Sequence, residues 1–468
     1  MESSLALTVI GLTIIAVTVG ILIRGKIHPI VAMSLIPVLG AVIAGFGIGE
    51  IEEFFQSGLE RVMGVVVMFI FAIVYFGIMQ EAGLFTPIIN RLIRMTRGKV
   101  VFVTLGTAAI ATIAHLDGAG ASTFLITIPA LLPLYEALRM SKYTLLAITA
   151  LSASVMNMVP WAGPTGRAAS VIESSPEEIW QHLISAQIAA LFMVFVVAFG
   201  FGLVETRRIK KLELAGASDG SSGGGSGSAG SDISSVTVDV NAIADDFVAD
   251  ENSKRRELGL DDEPTRISKI INLTLTFILL AILVTGLLSP ATAFLLGTAI
   301  ALLVNYRTNG EQTAALKRHA PAALSMAGVI LAAAMFLGIL NGSGMLESIA
   351  ISLISVMPES IGAYLHLIVG LLGVPLDLMT STDAYYFSVL PIVEQTSAAY
   401  GVTPLGVASA MILGNVIGTF VSPFSPALWL AIGLANANMG RHIKIAFPIA
   451  WVFSIILVLF AWATGLLV

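Results

Sequence analysis

The chain has 468 residues, 56% of them hydrophobic and 12% charged, with a formal net charge of −6 and a mean hydropathy of +0.93. A soluble chain carries roughly a quarter charged residues, so this composition excludes the soluble globular classes and specifies a polytopic membrane protein. The absence of cysteine excludes disulfides and thiolate metal sites, and no nucleic-acid partner is expected.

In chain order, residues 5–23 are apolar, lack a positive flank before them and lack a small-residue cleavage pattern, so they read as a retained helix rather than a signal peptide. Further spans are expected at about 27–47, 62–80, 143–160, 179–204, 269–288, 290–306, 320–340, 404–421 and 443–466. Two other apolar stretches, 100–138 and 361–397, are interrupted by the polar runs HLDGAGAST (115–123) and PLDLMTSTDAYYF (375–387). A straight crossing would leave those groups in lipid. A re-entrant helical hairpin instead encloses its irregular turn within protein, the one place at membrane depth where such backbone is tolerated. Residues 205–266 turn polar and Gly/Ser-rich and read as a flexible cytoplasmic linker with too few apolar residues for a core.

The chain is also written twice. FGIMQEAGLF (76–85) returns as LGILNGSGML (337–346), an offset of 261, and Asp117, Ser122, PLYE (133–136) and Asn157 return as Asp377, Ser381, PIVE (391–394) and Asn415 at offsets of 260, 259, 258 and 258. Duplication at near-constant spacing in an apolar chain is the pattern of a secondary transporter, with its binding site where the repeats meet. Residues 1–204 then hold an extra helix and a first repeat, with hairpin 100–138 and broken helix 143–176; residues 267–468 hold the second, with hairpin 361–397 and broken helix 404–436. With the amino terminus outside, nearly all loop Lys and Arg fall in the cytoplasm, the acidic segments 49–54 and 173–178 fall outside, and the repeats run in opposite directions across the cell membrane. Both termini are expected outside.

Pro and Gly interrupt membrane-worthy helices at NMVPWAGPTGRAAS (157–170) and GNVIGTFVSPFSPALWL (414–430). Half-helices opening near Thr165 and Gly166, Ser425 and Pro426, Ser122 and Thr123, and Ser381 and Thr382 would point four amino termini at one midplane site, which favours an anion rich in carboxylates. Arg167 is the one cation expected deep in the membrane; it reads either as bidentate capture of a substrate carboxylate or as a structural partner of Asp117 or Glu136. Asp117, Asp377 and Asp383 are candidates for cation or proton handling, with turn capping as the plain alternative. Asn157 and Asn415 offer amides to substrate or cation, or to neighbouring helices. His115, Trp161, Tyr385 and Tyr386 read as packing residues, and Glu136 and Glu394 as architectural.

The segments DGAGASTFLITIPALLPLY (117–135), NMVPWAGPTGRAAS (157–170), TSTDAYYFSVLPI (380–392) and SPFSPALWLAIGLA (422–435) together resemble the citrate-metal-proton symporter family of the ion transporter superfamily. The resemblance covers the whole chain except the linker. It implies proton-driven uptake of citrate as a complex with magnesium, calcium or another divalent ion. It also implies an elevator fold: a dimerising scaffold domain and a mobile transport domain holding the hairpins and broken helices. On this reading the substrate meets Ser122, Thr123, Asn157, Gly163, Pro164, Thr165, Gly166, Arg167, Ser381, Thr382, Asn415, Ser422 and Ser425, while Asp117, Asp377 or Asp383 handles metal or proton. The partners implied are a small carboxylate, protons, membrane lipid and a second copy of the chain, with no permanently bound cofactor. Ala119 departs from the Asp-Gly-Asp-Gly reading of metal-citrate members and removes one hard oxygen ligand. A sodium- or proton-coupled carboxylate carrier that needs no metal therefore stays open. An intramembrane hydrolase is disfavoured, since no nucleophile–base set is present at recognisable spacing, and a channel would show pore symmetry between subunits.

Overall fold

A computed structural model describes residues 5–24, 26–219, 239–260, 265–356, 358–380 and 382–467. The described residues are helical, and eight of their helices are long and apolar enough to cross a membrane. In order, α1 (Leu5–Arg24) and α2 (Pro29–Ile43) precede the long α3 (Ile48–Glu81) and the short amphipathic α4 (Thr86–Met95). Helices α5 (Val100–Ala114) and α6 (Gly120–Ala137) pack against each other as a hairpin. A crossing made of α7 (Lys142–Met156) and α8 (Gly163–Ile172) follows, then α9 (Pro176–Asp219). After α10 (Val240–Glu257), α11 (Arg266–Thr285) and α12 (Pro290–Asn305), the sequence of elements recurs. It runs long α13 (Asn309–Gly342), short α14 (Met345–Val356) and α15 (Glu359–Gly362), then a hairpin of α16 (Leu365–Leu371), α17 (Gly373–Met379), α18 (Thr382–Ala384) and α19 (Leu390–Ala398). Broken α20 (Pro404–Asn415) and α21 (Pro426–Leu434) lead to the last helix, α22 (Met439–Ala463).

Helices α3 and α13 are 34 residues each, about 51 Å at 1.5 Å per residue, far beyond a hydrocarbon core of ~30 Å. They begin earlier than the expected spans at 62 and 320. The segment 49–54, expected as an acidic outer loop, is instead the first turns of α3. Its acids suit a helix start: the Glu50 carboxylate accepts the Gly47 N–H at 2.7 Å. Thr308 and Glu311 do the same for α13, the hydroxyl accepting Glu311 N–H at 3.2 Å and the carboxylate accepting Arg307 N–H at 2.8 Å. The two long helices cross in backbone contact, because a Cβ on Gly58 would stand 2.1 Å from the Ala334 carbonyl oxygen. Near the other end, Glu81 gathers Arg318 (2.8 and 2.6 Å), Tyr306 (2.5 Å) and His319 (3.0 Å) into one half-buried polar knot.

The helices fall into two groups by packing: α2, α3, α11, α12 and α13 in one, and the hairpins, the broken helices, α9 and α22 in the other. The linker expected to be flexible throughout departs from that expectation on its described parts. α9 continues as helix to Asp219, and α10 lies against α4 and α6. It needs no core of its own, because Val240, Ala244 and Phe247 are buried on its neighbours and Arg94 bonds Asn241 at 2.8 Å and Asp245 at 2.5 Å. Farther along α10, burial works against the Lys254 charge, yet Asp250 and Glu251, at 2.8 and 2.9 Å, hold that ammonium above its ordinary range.

Candidate functional site

Both interrupted crossings break where the sequence carries Pro and Gly, and each break receives a hairpin tip. At the first tip a turn at His115–Asp117 ends on Gly118, whose φ of 71° suits glycine, and α6 then restarts at Gly120. The His115 ring is fully buried, with Nε2 2.9 Å from Asn157 Oδ1 on the break and Nδ1 2.6 Å from Thr123 Oγ1. Trp161 Nε1 donates to the Leu116 carbonyl at 2.7 Å, fixing tip and break a second time. At the second tip Asn415 Nδ2 donates to Asp377 Oδ1 at 3.0 Å, and Ser422 Oγ donates to the Asp377 carbonyl at 2.6 Å. The first arm of this hairpin touches α20 backbone to backbone, since a Cβ on Gly373 would stand 2.3 Å from the Gly414 carbonyl carbon.

The repeats also cross-link. Arg167, on the half-helix after the first break, donates from Nε to Asp383 Oδ1 of the second hairpin at 2.6 Å, with the two side chains 12% and 14% exposed. Phe420, at the second break, sets its ring edge-on to His115 of the first tip, centroids 5.6 Å apart. Four segments distant in sequence thus close into one ring of contacts.

The expected residues divide by what their polar atoms do. Thr165 Oγ1 donates back to the Met158 carbonyl at 3.0 Å, Thr123 Oγ1 lies 3.0 Å from the Ala119 carbonyl, and Ser122 Oγ bonds Asp117. With Ser422, these hydroxyls are committed to the architecture, because a hydroxyl has one proton to donate. The Arg167 partner is Asp383 rather than Asp117 or Glu136. Asp117 instead accepts from Ser122 and from Ala119 N–H at 2.9 Å, which makes it a turn cap, and Glu136 is exposed. Asp377 is buried, accepts Asn415 on Oδ1, and has the Thr382 hydroxyl beside it, five residues on as Ser122 is from Asp117. Ser381 lies outside the described residues.

The donors facing the convergence are then Arg167 and the backbone. A Cβ on Gly163 would stand 2.3 Å from Arg167 Nη1, so the guanidinium lies across the start of α8, where only glycine leaves room. Nη1 and Nη2 make no hydrogen bond among the described residues. In each broken crossing the outer half is capped, α7 by Ser141 and α20 by Thr403, whereas the inner halves α8 and α21 have no side-chain cap. α6, which begins at the first tip, has none either. Pro164 and Pro426 sit in the first turns of α8 and α21, where a missing N–H leaves no helical bond unmade. The α8 helix opens at Gly163, two residues before the expected Thr165. Gly166 lies within it, against the Phe69 ring.

Sequence reasoning missed the bridging role of His115 and the tip-fixing role of Trp161. Only their closeness to Asp117 and to the break marked them. The packing reading holds for Tyr385 and Tyr386, which are buried edge-to-face at 5.3 Å in a π-helical turn. Glu394 is not equivalent to Glu136 in its surroundings, for it lines a cavity of about 510 Å³ with Glu173 and Glu347, away from the convergence. Among the described residues no group of three or more His, Asp or Glu is gathered as a metal cage.

Residues 5–414 match the family described as citrate transporter. The chain is 32% identical over 445 residues to the citrate transporter of Bacillus subtilis (strain 168), covering 95% of each protein. It is 32% identical over 457 residues to the Mg(2+)/citrate complex secondary transporter of the same organism, covering 98% of each. In fold it is similar to the Alcanivorax borkumensis YdaH transporter, with a TM-score of 0.58, 16% identity and 90% of each chain covered.

Proposed function

This chain belongs to the citrate transporter family, and from that premise we propose that it imports citrate as a complex with a divalent cation such as magnesium or calcium, driven by protons. The observation that carries the reading is the set of uncapped helix starts, α6, α8 and α21, around a guanidinium with two uncommitted nitrogens. Each free helix start favours a carboxylate by about 0.3–1 kcal/mol, and by up to ~2 kcal/mol when partly buried. Arg167 adds charge-assisted bonds.

Charge argues for the complex rather than for free citrate. One arginine faces three aspartates, Asp117, Asp377 and Asp383, so the ring is negative by two when all are ionised. A citrate trianion would meet that charge as repulsion; with a divalent ion its net charge falls to about one negative, and the metal then travels as cargo on the citrate. The relative named for the Mg(2+)/citrate complex supports this form of the substrate. The separation of the helices into two packed groups supports an elevator movement of the hairpins and broken helices against α3 and α13, and the recurring element order supports inverted repeats. Both termini outside, a cytoplasmic linker and a homodimer complete the reading. Ala119, where a second acid would add a ligand, favours the alternative of a metal-free carboxylate carrier coupled to protons or sodium.

Uptake of labelled citrate into proteoliposomes under an inward proton gradient tests this. Accumulation that requires both the gradient and magnesium or calcium is expected. Accumulation without metal selects the alternative, and none under any cation gradient refutes both.

A further inference from the structure

The repeats build the same joint from different chemistry. In the first, Asn157 is engaged by the His115 ring, and Asp117, displaced from the joint, receives two donors from its own turn, Ser122 Oγ and Ala119 N–H. In the second, the position 260 residues after His115 is Pro375, which has no side-chain donor. Asn415 therefore bonds Asp377 directly, through Oδ1 at 3.0 Å. Asp377 is 1% exposed, and its Oδ2 is a buried atom with no hydrogen-bond partner among the described residues. Asn415 Oδ1, on the amide that bonds Asp377, is likewise a buried oxygen without a partner, and so is the hydroxyl of Thr419, the residue after Gly418. Gly418, just before Thr419, faces that carboxylate, its Cβ position lying 3.4 Å from Oδ2.

A buried carboxylate oxygen without a donor is unfavourable unless a positive charge meets it. The Thr382 hydroxyl beside Asp377 is neutral, and the charged and titratable groups around the carboxylate do not supply that charge. Arg167 lies nearest and already holds Asp383, Tyr385 and Tyr386 are neutral phenols, and His442 on the packed α22 bonds the Phe420 carbonyl at 3.2 Å. On His366 of the α16 arm, Nε2 bonds the Leu467 carbonyl at 3.1 Å. By contrast, Asp117 has a donor on each oxygen.

Resting on the reading of this protein as a gradient-driven citrate carrier, we propose that Asp377 alone carries the coupling charge. A monovalent cation, proton or sodium, meets its Oδ2 beside the Asn415 amide once per cycle, while Asp117 serves as a structural cap. The division of labour follows from His115, which occupies the asparagine of the first repeat and leaves Asp117 to its own turn, with neither carboxylate oxygen orphaned.

Wild type, Asp117→Asn and Asp377→Asn are compared in proteoliposomes by two rates: exchange of labelled for unlabelled magnesium-citrate without a gradient, and uphill accumulation under a pH or a sodium gradient. In Asp377→Asn the ratio of accumulation to exchange is expected to collapse to its value without a gradient. In Asp117→Asn both rates should fall together and the ratio should persist. The opposite pattern, or an Asp377→Asn carrier that still accumulates, overturns the assignment. Which gradient drives the wild type decides between proton and sodium. If the wild type exchanges no citrate, the citrate reading fails on its own. The assignment is then judged by thermal stability of the detergent-solubilised proteins across a pH series and a sodium series. A cation-dependent shift in wild type and Asp117→Asn that is absent in Asp377→Asn supports it, and an equal shift in all three refutes it. Asp377→Glu, which keeps the charge, should retain the shift.

Discussion

Removing Arg167 separates its pairing with Asp383 from its proposed contact with substrate, because its geometry fixes what each loses. Arg167→Ala leaves the Asp383 carboxylate, 14% exposed, without its 2.6 Å partner, and breaking a buried pair from one side costs about 3–5 kcal/mol. Asp383→Ala strands the guanidinium in the same way. The double variant removes both charges and should recover much of that loss, a coupling of about 1–3 kcal/mol in a double-mutant cycle read by thermal unfolding in detergent. Transport should behave differently. If the two uncommitted nitrogens bind a substrate carboxylate, Arg167→Ala and the double variant both lose about 2 kcal/mol of binding, which is roughly 30-fold in affinity. Asp383→Ala should keep measurable uptake. A double variant that restores both stability and citrate affinity would reduce Arg167 to a structural partner of Asp383 and refute its substrate role.

Gly163→Ala places a methyl 2.3 Å from Arg167 Nη1 and must push the guanidinium aside, so citrate affinity should fall while thermal stability changes little; unchanged affinity would show that the guanidinium need not lie there. Asn157→Ala removes the partner of His115 Nε2 inside the protein and should destabilise by about 1–3 kcal/mol, seen as a lower unfolding temperature in detergent. Glu81→Ala leaves Arg318 without its bidentate partner and should cost about 3 kcal/mol, measured by the same unfolding assay, with citrate affinity in the surviving protein near wild type. Phe247→Ala should raise hydrogen exchange across 240–257 without moving the unfolding temperature of the membrane helices, since α10 touches only α4 and α6 among its main neighbours.

The two hairpins and the two broken helices were legible because each required polar residues or Pro and Gly inside an apolar run, a combination lipid does not tolerate in a simple span. Asp117, Asn157, Arg167, Asp377 and Asn415 stood out for the same reason, and all of them come to the convergence. The amphipathic seat of α10 was not legible, since three buried side chains on one short helix look like linker until the surface that covers them is known. The starts of α3 and α13 were missed because hydropathy ends at the membrane face, whereas a helix ends where its cap does.

What the sequence determined by itself is therefore the class, the duplication and the residues that cannot be in lipid without a reason. Only the tertiary structure decided their partners: Asp383 for Arg167, His115 rather than Asp117 for Asn157, and Asp377 for Asn415. The physical reason is that hydrophobicity and helix breaking act along the chain and are read there. A hydrogen bond depends on which atoms lie within 3 Å after segments 38 to 216 residues apart have packed. Two repeats with equivalent aspartates thus acquired unequal surroundings, and at the joint itself the difference is a histidine at 115 where the second repeat has a proline at 375.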